Sequence, residues 1–333
     1  MRALVLARYG GPENVVFADV PRPVPKRGEI LVQVHAAGLN PIDNVIPKGS
    51  FKPVLKLTLP ATMGSDLAGV VVEVGAGVTR FKEGDEVFAS LFDLGSGSLA
   101  EFAVVPESAA ALKPSNVDFV PAASVPMVGL TTWQAFTERA RVRPGQKVFV
   151  PAGSGGIGTF AIQLAKHLGA TVGTTTSSGN VELVKRLGAS EIVDYTKQDF
   201  TDVLRGYDVV LGTLKGAELE KSLRVLEPDG IVVSLVGPLD ADFGRARRMG
   251  ALFVFIFRLM SFWIRRQARK LRVRYSFLFV HASGSQLSEI GELLREGTIT
   301  PVIDRVFPFD QAKEALAYLE TGRAKGKVVV QLR

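Results

Sequence analysis

The spacing of apolar residues changes character near Pro121. Before it, short alternating runs, Ile30–Val34, Val70–Val74, Glu86–Ala89 and Ala100–Val104, are separated by Gly- and Pro-rich turns. That pattern predicts a compact β-barrel-like domain. After it, strands are predicted near 147–151, 171–175, 191–194, 207–211, 230–236 and 275–280. Helical periodicity falls between them at 157–168, 180–188 and 217–226, with a short turn near 199–204. This βαβ rhythm implies a parallel sheet covered by helices on both faces. A helix at 286–296, a strand at 302–307, a helix at 310–320 and a strand at 326–332 then close the chain. These last pieces are expected to return to the first domain. The predicted division is 1–122, 123–289 and 290–333, with a ligand cleft between the domains.

One stretch breaks the rhythm. Residues 251–264 are almost wholly apolar and flanked by arginines. They are too short for a membrane span, which needs ~20 apolar residues. They suit a buried or pocket-capping helix, a subunit interface, or an interfacial helix making peripheral membrane contact through 245–274. A packing or pocket role is preferred, because a soluble fold can bury such aromatics without lipid.

Charge sharpens this picture. The net charge is +7, yet 245–274 holds ten basic residues and no acid. Without those ten the chain is mildly acidic at −3, so the basicity is local and nucleic acid is not an expected partner. Length and composition fit two folded domains. The absence of cysteine excludes disulfides and thiolate metal sites. The N-terminal residues read as a first strand, not as a signal peptide, and a cytoplasmic location is expected.

The sharpest chemical signal follows the run Val148–Val150. Gly153, Gly155 and Gly158 are spaced G-x-G-x-x-G and lead into the helical stretch 159–166. Strand, glycines and helix in this order suit a dinucleotide pyrophosphate: a tight turn, close backbone approach, and a helix N-terminus facing the anion. The next strand should end beside the adenosine ribose. There the chain reads Thr174-Thr-Thr-Ser-Ser-Gly-Asn180, and the first acid is Glu182. Hydroxyls without a carboxylate can receive a 2′-phosphate, so NADPH is favoured over NADH.

With these motifs placed, the chain resembles the zinc-independent quinone-oxidoreductase branch of the medium-chain dehydrogenase/reductase superfamily. The residues that carry the likeness include Ala37-Gly-Leu-Asn-Pro-Ile-Asp43, Gly64-Ser-Asp-Leu-Ala-Gly69, Gly129-Leu-Thr-Thr-Trp133, Leu187-Gly-Ala-Ser-Glu-Ile-Val-Asp-Tyr195 and Gly322-Arg-Ala-Lys-Gly-Lys-Val328. Arg274–Val280 with the basic stretch before it looks most like the subgroup of the reticulon-interacting mitochondrial oxidoreductase. The resemblance implies an α/β fold, a Rossmann-type doubly wound parallel sheet plus a GroES-like β-barrel-type catalytic domain. In zinc-dependent relatives a histidine stands where this chain has Ser65, and a cysteine near Asn40–Asp43. His35, His167 and His281 show no ligand spacing, so no metal is expected.

Without a Lewis acid, hydride addition to an electron-poor acceptor remains feasible. The expected activity is NADPH-dependent reduction of quinones or α,β-unsaturated carbonyls, with a small hydrophobic electron acceptor as partner and a homodimer as the assembly. The alternatives are an enoyl-thioester reductase and a cofactor-binding interaction protein using 245–274. A tyrosine carried by many relatives is absent, with Val45 and Ile46 in that stretch. Asn40 and Asp43 are the candidate catalytic residues, although turn chemistry around Pro41 explains them almost as well. The resemblance assigns Ser154, Gly155, Gly156 and Ile157 to the pyrophosphate and nearby ribose, and Ser177 and Tyr195 to the adenosine side. It places Thr131 and Leu235 to Gly237 near the nicotinamide. Phe277 and Phe279 follow, where a two-residue period fits a core strand equally well. Arg323 and Lys325 match cofactor-contacting positions, or form a solvated basic turn.

Overall fold

The computed structural model describes every residue except Pro53 and Lys56. The chain divides into two compact units, Met1–Leu130 with His281–Arg333, and Thr131–Val280. The sequence pattern puts these divisions at 122/123 and 289/290. The second shifts because helix Gly284–Arg295 belongs to the first unit: a Cβ on Gly284 would meet the Ala110 carbonyl oxygen at 2.2 Å.

The first unit is built around strand Glu29–Gly38, buried along most of its length by Ile30, Leu31, Val32, Val34, Ala36 and Ala37. Its sheet runs Ile303–Pro308, Lys327–Gln331, Glu29–Gly38, Asp66–Val74, Glu86–Ser90, Ala110–Leu112, and Phe102–Pro106 also pairs with Glu29–Gly38. A second sheet holds Val15–Asp19, Arg2–Leu6 and Ala61–Thr62. The chain's last strand lies antiparallel to the central one, with Val329 opposite Gly38. That pairing carries Lys327 to the point where the central strand ends and Asn40 begins a helix.

The second unit is a six-stranded parallel sheet. Its strands, in chain order, are Lys147–Val150, Thr171–Thr176, Glu191–Asp194, Tyr207–Gly212, Leu226–Ser234 and Arg274–Phe277. Across the sheet they stand third, second, first, fourth, fifth, sixth, the Rossmann arrangement. Val148, Phe149 and Val150 are fully buried, as a strand covered on both faces requires. Helix Gly156–His167 follows the glycine loop and buries Phe160, Ala161, Leu164 and Ala165 on one face. An α/β fold of Rossmann-like and GroES-like parts is thus realised.

The apolar stretch does not form one continuous buried helix. It makes two helices, Ala251–Met260 and Phe262–Lys270, separated at Ser261, whose hydroxyl donates to the Phe257 carbonyl at 2.9 Å. Phe257, Ile264 and Ala268 face inward, and Phe257 packs on Phe243 with ring centroids 5.6 Å apart. Most of the remaining apolar side chains face solvent.

Candidate functional site

Two constellations carry chemistry, one in each unit. In the first, the peptide leaves the central strand at Leu39, and Asn40 precedes the short helix Pro41–Val45. Pro41 suits the first helical position, where its missing N–H would have no partner. Asp43 then turns back: Oδ2 accepts the Asn40 N–H at 2.7 Å, and Oδ1 accepts the Ser65 hydroxyl at 2.8 Å. Asn40 is the hinge of a larger network. Its Nδ2 donates to Asp66 Oδ2 at 2.9 Å, while its Oδ1 accepts from Lys327 Nζ at 2.6 Å. Lys327 also donates to the Leu39 carbonyl at 2.7 Å and lies 3.9 Å from Asp66 Oδ2. Asp66 further accepts the Met127 N–H at 3.1 Å. All five side chains are buried, Asp43 to 1% and Lys327 to 5% exposure.

Two carboxylates therefore share one ammonium in a water-poor setting. Burial pushes the Asp43 carboxyl up from 3.8 to about 6, against the Asn40 N–H and the Ser65 hydroxyl, which hold it down. Burial likewise raises Asp66, opposed by Lys327, and lowers Lys327, opposed by Asp66 and Asp43. Asp43 and Ser65 also border an open pocket with Leu55, Leu57, Met63 and Phe92 among its apolar walls. Thr62, Asp93 and Ser96 add polar groups to that lining, and apolar walls with a few polar groups suit an apolar acceptor that carries a polar oxygen.

The second constellation surrounds the glycine loop. A Cβ on Gly153 would meet Thr174 Oγ1 at 2.1 Å, and one on Gly158 would meet the Ala152 carbonyl at 2.5 Å. These two glycines let helix and strands pack closely. Gly155 is different, because its Cβ would meet only the Ala152 oxygen, at 3.4 Å. Space is left beside the loop, and helix Gly156–His167 starts at Gly155 with no side chain capping its N–H groups. Backbone donors, the helix dipole and open space fit a pyrophosphate over Gly155, Gly156 and Ile157.

Beyond the loop, Ser154 Oγ receives Thr176 Oγ1 at 3.0 Å and Asn180 Nδ2 at 3.3 Å, and the same amide reaches Ser177 Oγ at 3.2 Å. Tyr195 joins this group, its N–H bonded to the Thr176 carbonyl at 3.1 Å and its ring exposed. Ser154, Ser177 and Tyr195 are thus brought together. The third strand adds a carboxylate that the local sequence does not announce. Asp194 lies opposite Thr176 and accepts from Ser178 and Thr196, with Lys197 at 3.3 Å. The Ser178 and Thr196 hydrogen bonds hold its carboxyl well below the usual range. Its lone pairs are occupied locally, while Ser154, Ser177 and Asn180 form the hydroxyl and amide set that fits a phosphate.

The remaining positions fall elsewhere. Thr131 is buried in helix Pro126–Trp133. Leu235 and Gly237 follow the fifth strand, where the Leu235 N–H bonds the Gly212 carbonyl and the Gly237 N–H bonds Ser234 Oγ, both at 2.9 Å. A Cβ on Gly237 would meet that hydroxyl at 2.5 Å, so the turn itself requires glycine. Phe277 and Phe279 both pack on Phe243, at 5.6 and 5.3 Å between centroids, which makes Phe277 a core residue. Arg323 and Lys325 sit on the exposed turn of the first unit before Lys327. Ser65, Asp66 and Lys327 were not among the expected catalytic residues. The available signal was a lone lysine opening the buried run Val328–Val330.

The zinc-binding dehydrogenase family matches residues 187–330, and the alcohol dehydrogenase GroES-like domain matches 26–115. Among the described residues, no group of three or more His, Cys, Asp or Glu is placed to hold a metal ion. The chain is 35% identical to the chloroplastic NADPH-dependent alkenal/one oxidoreductase of Arabidopsis thaliana, over 99% of this chain and 79% of that protein. It is 33% identical to the mitochondrial NAD(P)H oxidoreductase RTN4IP1 of Mus musculus, over 100% of this chain and 89% of the relative. The quinone oxidoreductase of Coxiella burnetii superposes with a TM-score of 0.85 at 30% identity, covering 100% of this chain and 99% of that one. Its glycine loop, strand order and full-length relatives agree: the chain belongs to the quinone-oxidoreductase branch of the medium-chain dehydrogenase/reductase superfamily.

Proposed function

We propose that this protein is an NADPH-dependent reductase that delivers hydride to quinones and α,β-unsaturated carbonyls. The observation that carries the reading is the Asp43–Ser65 pair at the edge of an apolar pocket, in a chain that also builds a pyrophosphate cradle. Bound NADPH would supply the hydride. The chain's own residues then manage the proton that must follow. With a carboxyl pushed up to about 6, Asp43 keeps a protonated fraction near neutrality. In that form it donates to Ser65 Oγ, and the serine proton passes to the oxygen or α-carbon left negative by hydride addition. Leu55, Leu57, Met63 and Phe92 would pack against the apolar part of the acceptor. Initial rates of NADPH oxidation with a panel of quinones, alkenals, cyclic enones and enoyl-thioesters test this. Turnover confined to thioesters, or with none of the panel, would reject it.

Two further results are expected. The Ser154–Ser177–Asn180 set supports binding of the 2′-phosphate, so Ser177→Asp should weaken NADPH by about tenfold or more while changing NADH little, through charge repulsion. Equal loss for both cofactors in calorimetric titration would contradict that placement. Metal analysis of the active protein should find no stoichiometric zinc, since the chain has no cysteine and places Ser65 beside Asp43. One zinc per chain would overturn the proton route. A cytoplasmic location is part of this reading and is open to cell fractionation.

A further inference from the structure

The exposed face of the helix pair remains without a role in the chemistry above. In helix Ala251–Met260, Leu252, Phe255, Ile256 and Leu259 repeat at the spacing of one helical face, and all are exposed, Leu252 to 69%. Met260, Phe262 and Trp263 extend this surface into the second helix, with Trp263 63% exposed. The inward face already has its partners. Val254 and Phe257 approach Gly244, where a Cβ would come within 3.1 Å of each, and Ile264 and Ala268 are buried. The outer apolar face is therefore not needed to hold the helices in place, and patches of this kind mark interaction surfaces.

Charge selects the occupant. Exposed Arg258, Arg266, Arg269 and Lys270 accompany the apolar side chains, and 245–274 holds no acid. Asp240 and Asp242, just before it, pair with Arg265, and Asp242 also with Arg245. Two copies meeting through this face about a twofold axis would set the same basic surface against itself. An anionic bilayer complements it. At 1.5 Å per residue the ten-residue helix covers ~15 Å, half a hydrocarbon core, and no helix among the described residues is long and apolar enough to cross a membrane. Lying in the interface, it would bury its apolar face while arginines and lysine meet lipid phosphates. Trp263, with the Arg266 guanidinium 5.7 Å from its ring, has the amphipathic character found at that depth.

We propose that helices Ala251–Met260 and Phe262–Lys270 form a docking surface that seats the protein on anionic lipid bilayers. The test is co-sedimentation of the full chain with vesicles of phosphatidylcholine alone or of equimolar phosphatidylcholine and phosphatidylserine. Binding should require phosphatidylserine and fall steeply with added salt. Arg266→Gln with Lys270→Gln should weaken it roughly 25-fold, at about fivefold for each basic residue. Phe255→Ser with Leu259→Ser should weaken it even at low salt. All four side chains are exposed, so thermal unfolding should show both variants folded. In a Trp133→Phe background, Trp263 emission should shift to shorter wavelength with the anionic vesicles alone. No binding at low salt, or equal binding to both vesicle types, would overturn the proposal. A dimer broken by Phe255→Ser with Leu259→Ser in a protein that ignores vesicles would assign the face to a second copy instead.

Discussion

Asp43→Asn should lower kcat for enone reduction by about 10²–10⁴-fold, the usual scale of a lost general acid. NADPH affinity should stay nearly unchanged, because the substitution leaves the glycine loop and the Ser154–Ser177–Asn180 set untouched. The amide retains the bulk and can still accept the Asn40 N–H, so the helix start at Pro41 is preserved. What it loses is the dissociable proton. In the wild type kcat should decline as pH rises through about 6, as the protonated form is depleted. The variant should lack that limb. A variant retaining both its rate and its pH profile would show that Ser65 or solvent supplies the proton without Asp43.

The same group leaves a mark on stability. Its folded pKa lies above its ordinary 3.8, so between about pH 4 and 6 the unfolded chain has released a proton that the folded chain keeps. Unfolding is therefore increasingly favoured as pH rises across that window. The penalty is complete above about pH 6 and amounts to roughly 3 kcal/mol at most. Below pH 4 it vanishes. The difference in stability between wild type and Asp43→Asn should follow this curve, which separates it from other titrating groups.

The second large effect is expected at Lys327. Lys327→Met should destabilise the first unit by ~3–5 kcal/mol, the cost of leaving a buried carboxylate without its counter-charge. Asp66 would keep the Asn40 amide and the Met127 N–H but lose the ammonium 3.9 Å away, and the Leu39 carbonyl would lose its donor. Combining Lys327→Met with Asp66→Asn should recover much of the loss, since neither partner then leaves an isolated charge. Urea unfolding of the four proteins provides the cycle. Equal destabilisation by the single and double variants would mean that Lys327 acts by packing, not by charge.

Much of the fold was legible because period and punctuation agree. The Rossmann strands announce themselves as buried β-branched runs, and the glycine spacing fixes where the first helix starts. The sequence also points to Asn40 and Asp43 through one short motif. It does not reveal what they bond to. Their partners are Ser65 and Asp66, where one strand begins, and Lys327, which opens another nearly 290 residues away, and only the pairing of Val329 with Gly38 brings the lysine there. Asp194 was hidden in the same way, since its place beside Thr176 depends on sheet register. The apolar stretch failed as a burial signal for a different reason. Its inward face needs only Val254, Phe257, Ile264 and Ala268, and a composition rich in aromatics does not say which side they occupy.

The route of the hydride tests the central claim most directly. A cyclic enone reduced with NADPH deuterated at the transferable position of the nicotinamide should yield product carrying deuterium at the β-carbon. Running the reaction in D₂O with unlabelled NADPH should place deuterium at the α-carbon. NMR of the saturated ketone reads both. Retention of the β-carbon label alongside NADPH oxidation would confirm direct transfer. Oxidation of NADPH with no deuterium on the β-carbon, or no reduction of any enone or quinone by the intact protein, would contradict it.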